Sequence, residues 1–221
     1  MKKEISLDGL LWAFVAFVVV LVAIRFIISK ELHFVFLPWN IFLAWIPFYI
    51  SKYFKGLAFS SFQKKYFVLG IWLLFFPNAL YIVTDLIHLE IETPVPKWYD
   101  TVMIFSAAIV GLIMAFVSLL RVEQFLIKIV SAKKTTWIVL AILFISSFGV
   151  YLGRFLRWNS WDIVCHPFRL TTQISDRIIF PFEHLYTWGV TVLFTVLFFL
   201  LYTLVKKIPG YLAGHQFDNE R

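Results

Sequence analysis

Six long apolar stretches constrain this chain more than any other feature. They run approximately over 8–28, 35–53, 66–88, 101–121, 136–157 and 186–206. Each is near or above the ~20 residues that cross about 30 Å of hydrocarbon at 1.5 Å per residue. Backbone polar groups find no partner in lipid, so runs of this length must close their own hydrogen bonds as helices. The composition agrees: 61% of the 221 residues are hydrophobic and 15% are charged. A soluble domain has roughly 45–50% apolar and about 25% charged residues. The expected fold is therefore all-α, a polytopic transmembrane bundle of six spans in one domain over 1–221. The single cysteine, Cys165, excludes a disulfide scaffold. The apolar content excludes a disordered chain or a nucleic-acid module, so no nucleic-acid partner is expected despite the net charge of +7. The first stretch exceeds the ~7–15 residues of a signal core, and no small-x-small cleavage site follows it before Arg25, so a retained helix is expected.

The net charge is better explained as an address. Lys and Arg accumulate in short cytoplasmic loops. With the N-terminus inside, thirteen of the 20 basic residues fall on the inner side and seven on the outer, while the 13 acidic residues divide as five and eight. Both termini are then expected in the cytoplasm. The loop over 158–185 is the longest on the outer side. Its apolar Ile178, Ile179 and Phe180 beside Asp176 and Arg177 suggest a short piece lying in the membrane interface. Trp39, Trp98, Trp158, Trp161 and Trp188 cluster near outer boundaries, where an anchoring belt is expected.

The informative residues are those a bilayer disfavours. A charge near mid-membrane costs at least ~2.5–3.5 kcal/mol. In the third stretch Pro77 predicts a kink that frees carbonyl groups. Asn78, Tyr81, Asp85 and His88 follow at spacings that share an arc of about 80° on an α-helix. Such a stripe must face the bundle interior or a wet cavity. It serves either as interhelical hydrogen-bond glue or as a ligand or catalytic site. Asp85 and His88, at i and i+3, are spaced to share a divalent metal, the one cofactor suggested. In the fifth stretch Gly149 and Gly153 form a small-xxx-small pair that admits a close helix neighbour. Arg154 and Arg157 then lie one turn apart, followed by Asn159 and Asp162. Two readings fit the arginines: snorkelling or internal ion pairing, and a bidentate clamp on an anion. Asn40 opens the second stretch. Asp100 opens the fourth, where it suits a helix N-cap as well as a catalytic carboxylate. These groups converge on one side of the membrane; the other holds few equivalents, namely Ser51, Ser118 and Arg121.

At these residues the chain resembles a known family. The run Pro38-Trp39-Asn40 to Pro47, the segment Phe76–Leu86 with His88, the triplet Trp98-Tyr99-Asp100, and Tyr151–Phe155 through Arg157–Asp162 resemble an uncharacterised bacterial multi-pass membrane-protein family catalogued as domain of unknown function 1361. The resemblance covers roughly 35–205 and implies a polytopic bacterial membrane protein, without a mechanism.

Three functions stay open on the residues alone. One is an outer-leaflet enzyme that hydrolyses or transfers a lipid-linked anion. There Asp85, His88 and Asp100, with Asp162 or His166, are catalytic or metal-binding. Asn40, Asn78, Tyr81, Arg154, Arg157, Asn159 and Asp162 bind the substrate. The second is a permease with an Asp85–His88 proton relay. The third is a non-catalytic scaffold. The bilayer is the expected partner throughout, and the oligomeric state is left open.

Overall fold

The computed structural model describes residues 6–57, 61–90, 94–158 and 161–218, and the side chains of all of these except 164 and 213–218. Its elements are helical: α1 (Leu7–Ser29), α2 (Phe36–Ser51), α3 (Phe54–Leu57), α4 (Phe62–Tyr81), a 3₁₀ segment (Ile82–Glu90), α5 (Lys97–Ile127), α6 (Ala132–Leu156), α7 (Asp162–Cys165), α8 (Pro167–Ile179) and α9 (Leu185–Asp218). Among the described residues, five stretches are long and apolar enough to cross a membrane: Leu7–Ser29, Phe62–Glu90, Lys97–Ile127, Ala132–Leu156 and Leu185–Leu212. α2 has 16 residues, about 24 Å of helix. It therefore falls below that length, although its sequence is as apolar as the others.

α5 is the central helix, with 67% of its most apolar window buried. Its inward face carries small residues, among them Ser106, Ala107, Ala108, Ala115 and Ser118. Lipid provides no hydrophobic drive between helices, so small side chains that let backbones approach are what permit tight packing. Around α5 stand α1, α2 and α4, with α6 and α9 packed on each other and also touching α5. Two apolar cores result. One joins α1, α2 and the first half of α5 through Val18, Leu37 and Met103. The other joins α4, α5, α6 and α9 through Trp72, Leu119, Leu143 and Phe198.

Buried polar groups pin these helices together. The Trp72 indole donates to Ser118 Oγ at 2.7 Å, and that hydroxyl donates to the Pro47 carbonyl at 3.0 Å, joining α4, α5 and α2. Glu123 accepts from Tyr202 at 2.6 Å and from Lys206 at 2.8 Å, joining α5 to α9. At the opposite end Arg25, 1% exposed, donates through Nε to Asp100 at 2.8 Å and lies 4.2 Å from the Phe34 ring centre. α1 is thereby tied to the start of α5.

The Arg25–Asp100 pair shows how such ties are weighted. Removing one partner of a buried ion pair leaves a charge uncompensated, at about 3–5 kcal/mol. Arg25→Met and Asp100→Leu should each lower stability by that order in thermal unfolding of the detergent-solubilised protein. The double variant should recover most of the loss, because apolar groups of similar volume replace a buried pair at little cost. Two additive single losses would contradict the pairing.

A polar-mouthed cleft between α2, α4 and α6

The site begins with a close helix contact. A Cβ at Gly149 would stand 3.0 Å from Pro77 Cβ, and one at Gly153 would stand 3.2 Å from the Tyr81 ring. The small-xxx-small pair thus seats α6 directly against the polar stretch of α4, as its spacing predicts. α2 packs on the other side of α4. Between α2 and α6, over α4, lies a cleft of about 920 Å³.

Above Tyr81 the helix changes character. The stripe predicted on an α-helix continues instead on a 3₁₀ segment over Ile82–Glu90. Side chains here bond back to carbonyls three residues earlier: Asn78 Nδ2 to Phe75, Thr84 Oγ1 to Tyr81 and His88 Nδ1 to Asp85. Such local bonds compete with the α-helical ladder, and a 3₁₀ turn is a common outcome near functional sites. In this geometry residues three apart eclipse, so Asp85 and His88 stay on one line.

Asp85 is 1% exposed and organises the cleft from behind. One carboxylate oxygen accepts from Asn40 Nδ2 of α2 at 2.7 Å. The other accepts from Arg154 Nη2 of α6. Arg154 Nε donates to Thr84 Oγ1 at 2.8 Å, and its guanidinium lies 4.5 Å from the Tyr81 ring centre. Arg154 is thus internally paired, with a side chain 12% exposed, and does not snorkel. Its Nη1 has no protein partner among the described residues. The His88 Nδ1 faces the Asp85 carbonyl at 3.1 Å. A carbonyl can only accept, so Nδ1 donates, and in the neutral ring the lone pair is on Nε2.

The walls divide by chemistry. Asn40, Asn78, Tyr81, His88, Arg154 and Arg157 line the mouth, the end of the cleft beside the 3₁₀ segment, and Leu43, Leu73, Leu74, Ile145 and Phe148 line the depth, the part further along the helices. α7 and α8 form a roof, contributing Ile163, Leu170 and Ile174. The roof is held by Trp158 Nε1 donating to Gln173 Oε1 at 2.7 Å, and by Trp188 Nε1 donating to the Arg177 carbonyl at 3.2 Å. Arg157 itself is exposed and has no side-chain partner among the described residues. It caps α6 in the left-handed region, at φ 59°.

Six of the expected site residues therefore share one cleft, with Asp85 immediately behind them. Asp100 does not join them. α5 starts three residues before it, at Lys97, so Asp100 lies within the first turn instead of capping it, and Arg25 holds it. Asp162 opens α7 and faces His166 at 3.4 Å, outside the cleft lining. Asn159 lies outside the described residues. The expected metal pair is not assembled: both oxygens of Asp85 are engaged and His88 Nδ1 is turned to a carbonyl. Among the described residues no three His, Cys, Asp or Glu side chains are placed to hold a metal. Residues the sequence reading missed include Arg25, visible as a charge inside an apolar stretch, and Leu170 and Ile174, visible as an i, i+4 apolar pair. Thr84 has no such signal, because its role depends on Arg154 arriving from 70 residues away.

Fold and site together define a multi-pass helical membrane protein with a cation-rimmed cleft. The chain belongs to the family described as "Protein of unknown function (DUF1361)", whose model matches residues 39–201. No curated protein and no solved structure matches it.

A left-handed conformation costs a residue with a side chain roughly 1–2 kcal/mol that glycine avoids. Arg157→Gly should thus raise stability by up to about 1 kcal/mol in thermal unfolding, while removing a cation from the mouth. A fall in stability would mean that the Arg157 side chain holds the fold and is not reserved for a ligand.

Proposed function

We propose that the cleft binds an amphiphile with an anionic head group, and that the protein hydrolyses or transfers a group on that lipid-linked substrate. The observation that carries this is the cleft's division into an apolar depth and a mouth holding Arg154 and Arg157. An apolar tail and a charged head need those two environments side by side. Arginine forks suit phosphate and carboxylate oxygens. The free Nη1 of Arg154 and the unpartnered Arg157 would hold the anion. His88 Nε2 would take the proton from the attacking water or alcohol as its oxygen bonds to the transferred group, and return it to the leaving-group oxygen as that bond breaks.

The same reading sets the membrane geometry. α2 would complete six spans, despite its 16 residues, because it is packed against α4 and α5. The ion pairs Asp8–Lys52 and Glu123–Lys206 would mark the cytoplasmic end, in line with the basic bias of that side. The cleft mouth would then open to the outer leaflet of a bacterial inner membrane. The permease alternative needs Asp85 to exchange protons with a wet path. It is less well supported, because Asp85 is 1% exposed and fully engaged by Asn40 and Arg154.

Binding of hexadecyl phosphate to the purified protein tests the proposal, with hexadecyltrimethylammonium as the control of opposite charge. A charge-assisted contact is worth about 1.5–3 kcal/mol, so Arg157→Gln should weaken phosphate binding by about tenfold or more. His88→Gln should leave binding within about twofold and abolish turnover once a substrate is in hand. Equal binding of the cationic control would sink the anion site.

A further inference from the structure

The cleft extends well below its polar mouth, and its foot is a glycine. Gly70 lines the cavity in the middle of α4. From Tyr81 down to Gly70 the cleft follows α4 for about 16 Å, at 1.5 Å per residue. Glycine is disfavoured inside a helix, because it loses more conformational freedom than any other residue on folding. Gly149 and Gly153 have a packing reason for their missing side chains, since Pro77 and Tyr81 occupy the space. Gly70 has none: a Cβ there would meet no atom within 4 Å. Gly70 is exposed, so a side chain there would project onto the open flank of the groove that it lines.

The side walls point the same way. α2 and α6 each pack on α4 and have no comparable packing with each other. The cleft is therefore a groove along α4 that is open sideways, between two membrane-embedded helices. A groove open to lipid, apolar along Leu43, Leu73, Ile145 and Phe148, and continuous with a cationic mouth, fits one occupant: the apolar tail of a molecule whose head is an anion. A polar ligand would gain nothing from the lower part. A ligand confined to the mouth would need no groove.

We infer that the ligand enters sideways from the leaflet and lies along α4 with its tail pointing to Gly70, and that Gly70 sets the length of tail the protein accepts. This rests on the anionic-amphiphile reading above and adds to it the entry route and a specificity-determining residue. Two tail chemistries meet these requirements, a saturated acyl-like chain and a branched prenyl chain. Each carries an oxyanion head at the mouth.

The test compares octyl phosphate with hexadecyl phosphate on the full-length protein, for wild type, Gly70→Ala, Gly70→Leu and Gly70→Trp. Replacing a helical glycine favours the helix and the new Cβ meets nothing, so the variants should fold; Gly70→Leu serves should the larger side chain fail. Wild type should bind the long chain at least about tenfold tighter than the short one, a difference of the size that a few buried methylenes supply. Gly70→Leu and Gly70→Trp should remove most of that preference while octyl phosphate binds within about twofold of wild type. Gly70→Ala should change neither. Farnesyl phosphate identifies the tail: whichever long chain loses more affinity on Gly70→Trp is the one that fills the groove. An unchanged length preference in the Leu and Trp variants would overturn the inference and leave the anion site standing. Loss of octyl and hexadecyl binding together in those variants would also overturn it, since Gly70 would then act on the whole fold. Failure of wild type to bind either phosphate would overturn both readings. Preference for a long-chain cation, still lost on Gly70→Trp, would overturn the anion site and keep the role of Gly70.

Discussion

The contact between Arg154 and Asp85 is the interaction on which the rest of the site depends. Neither charge is tolerable alone at membrane depth, where each costs at least ~2.5–3.5 kcal/mol. Together, with Asn40 and Thr84 filling the remaining donors and acceptors, they can be buried. The pair joins three elements that are remote in sequence: the start of α2, the 3₁₀ segment after α4 and the end of α6. Drawing α2 and α6 onto opposite sides of α4 at this end is what shapes the cleft. Arg154 is then both a structural tie and part of the cleft wall.

A second buried pair, Arg25–Asp100, shows the contrast. It has the same chemistry and lies at the same end of the bundle, yet neither residue lines the cleft. Ser29 and the Phe34 ring complete the surroundings of Arg25. The Arg154 group differs. Nη1 of Arg154, Nε2 of His88 and the whole Arg157 side chain remain without partners among the described residues, and all three residues line the mouth. Groups left open around a cavity are the reason we propose a binding site here in place of interhelical glue alone.

Much of this was legible in the chain. The apolar stretches locate the long helices, because hydrocarbon thickness dictates a minimum length. The helices run past the predicted ends, as in α5 over Lys97–Ile127 and α9 over Leu185–Asp218, because a helix does not stop where hydrophobicity does. Gly149 and Gly153 announced a close neighbour for α6, though not that it is α4. Asn40, Asn78, Tyr81, His88, Arg154 and Arg157, each picked out because a polar group in an apolar stretch needs a reason, do line one cleft. Their grouping was not legible. Asp85 and Asp100 look equivalent in sequence, and only the docking of α1 assigns Asp100 to Arg25, 75 positions away. The i, i+3 spacing of Asp85 and His88 fits a metal. The carboxylate is instead used up by two other helices. The 3₁₀ turn was hidden as well, because it follows from side-chain bonds to the backbone that no hydrophobic period reveals.

The central claim is that an anionic amphiphile lies in the groove along α4. Photolabelling in liposomes with an alkyl phosphate carrying a diazirine near the end of its chain addresses that directly. Crosslinks should concentrate in the segments 70–74 and 145–149, which line the lower groove, and be displaced by excess hexadecyl phosphate. Labelling spread over the lipid-facing surfaces of α1 and α9, with no enrichment in those two segments and no displacement, would contradict it.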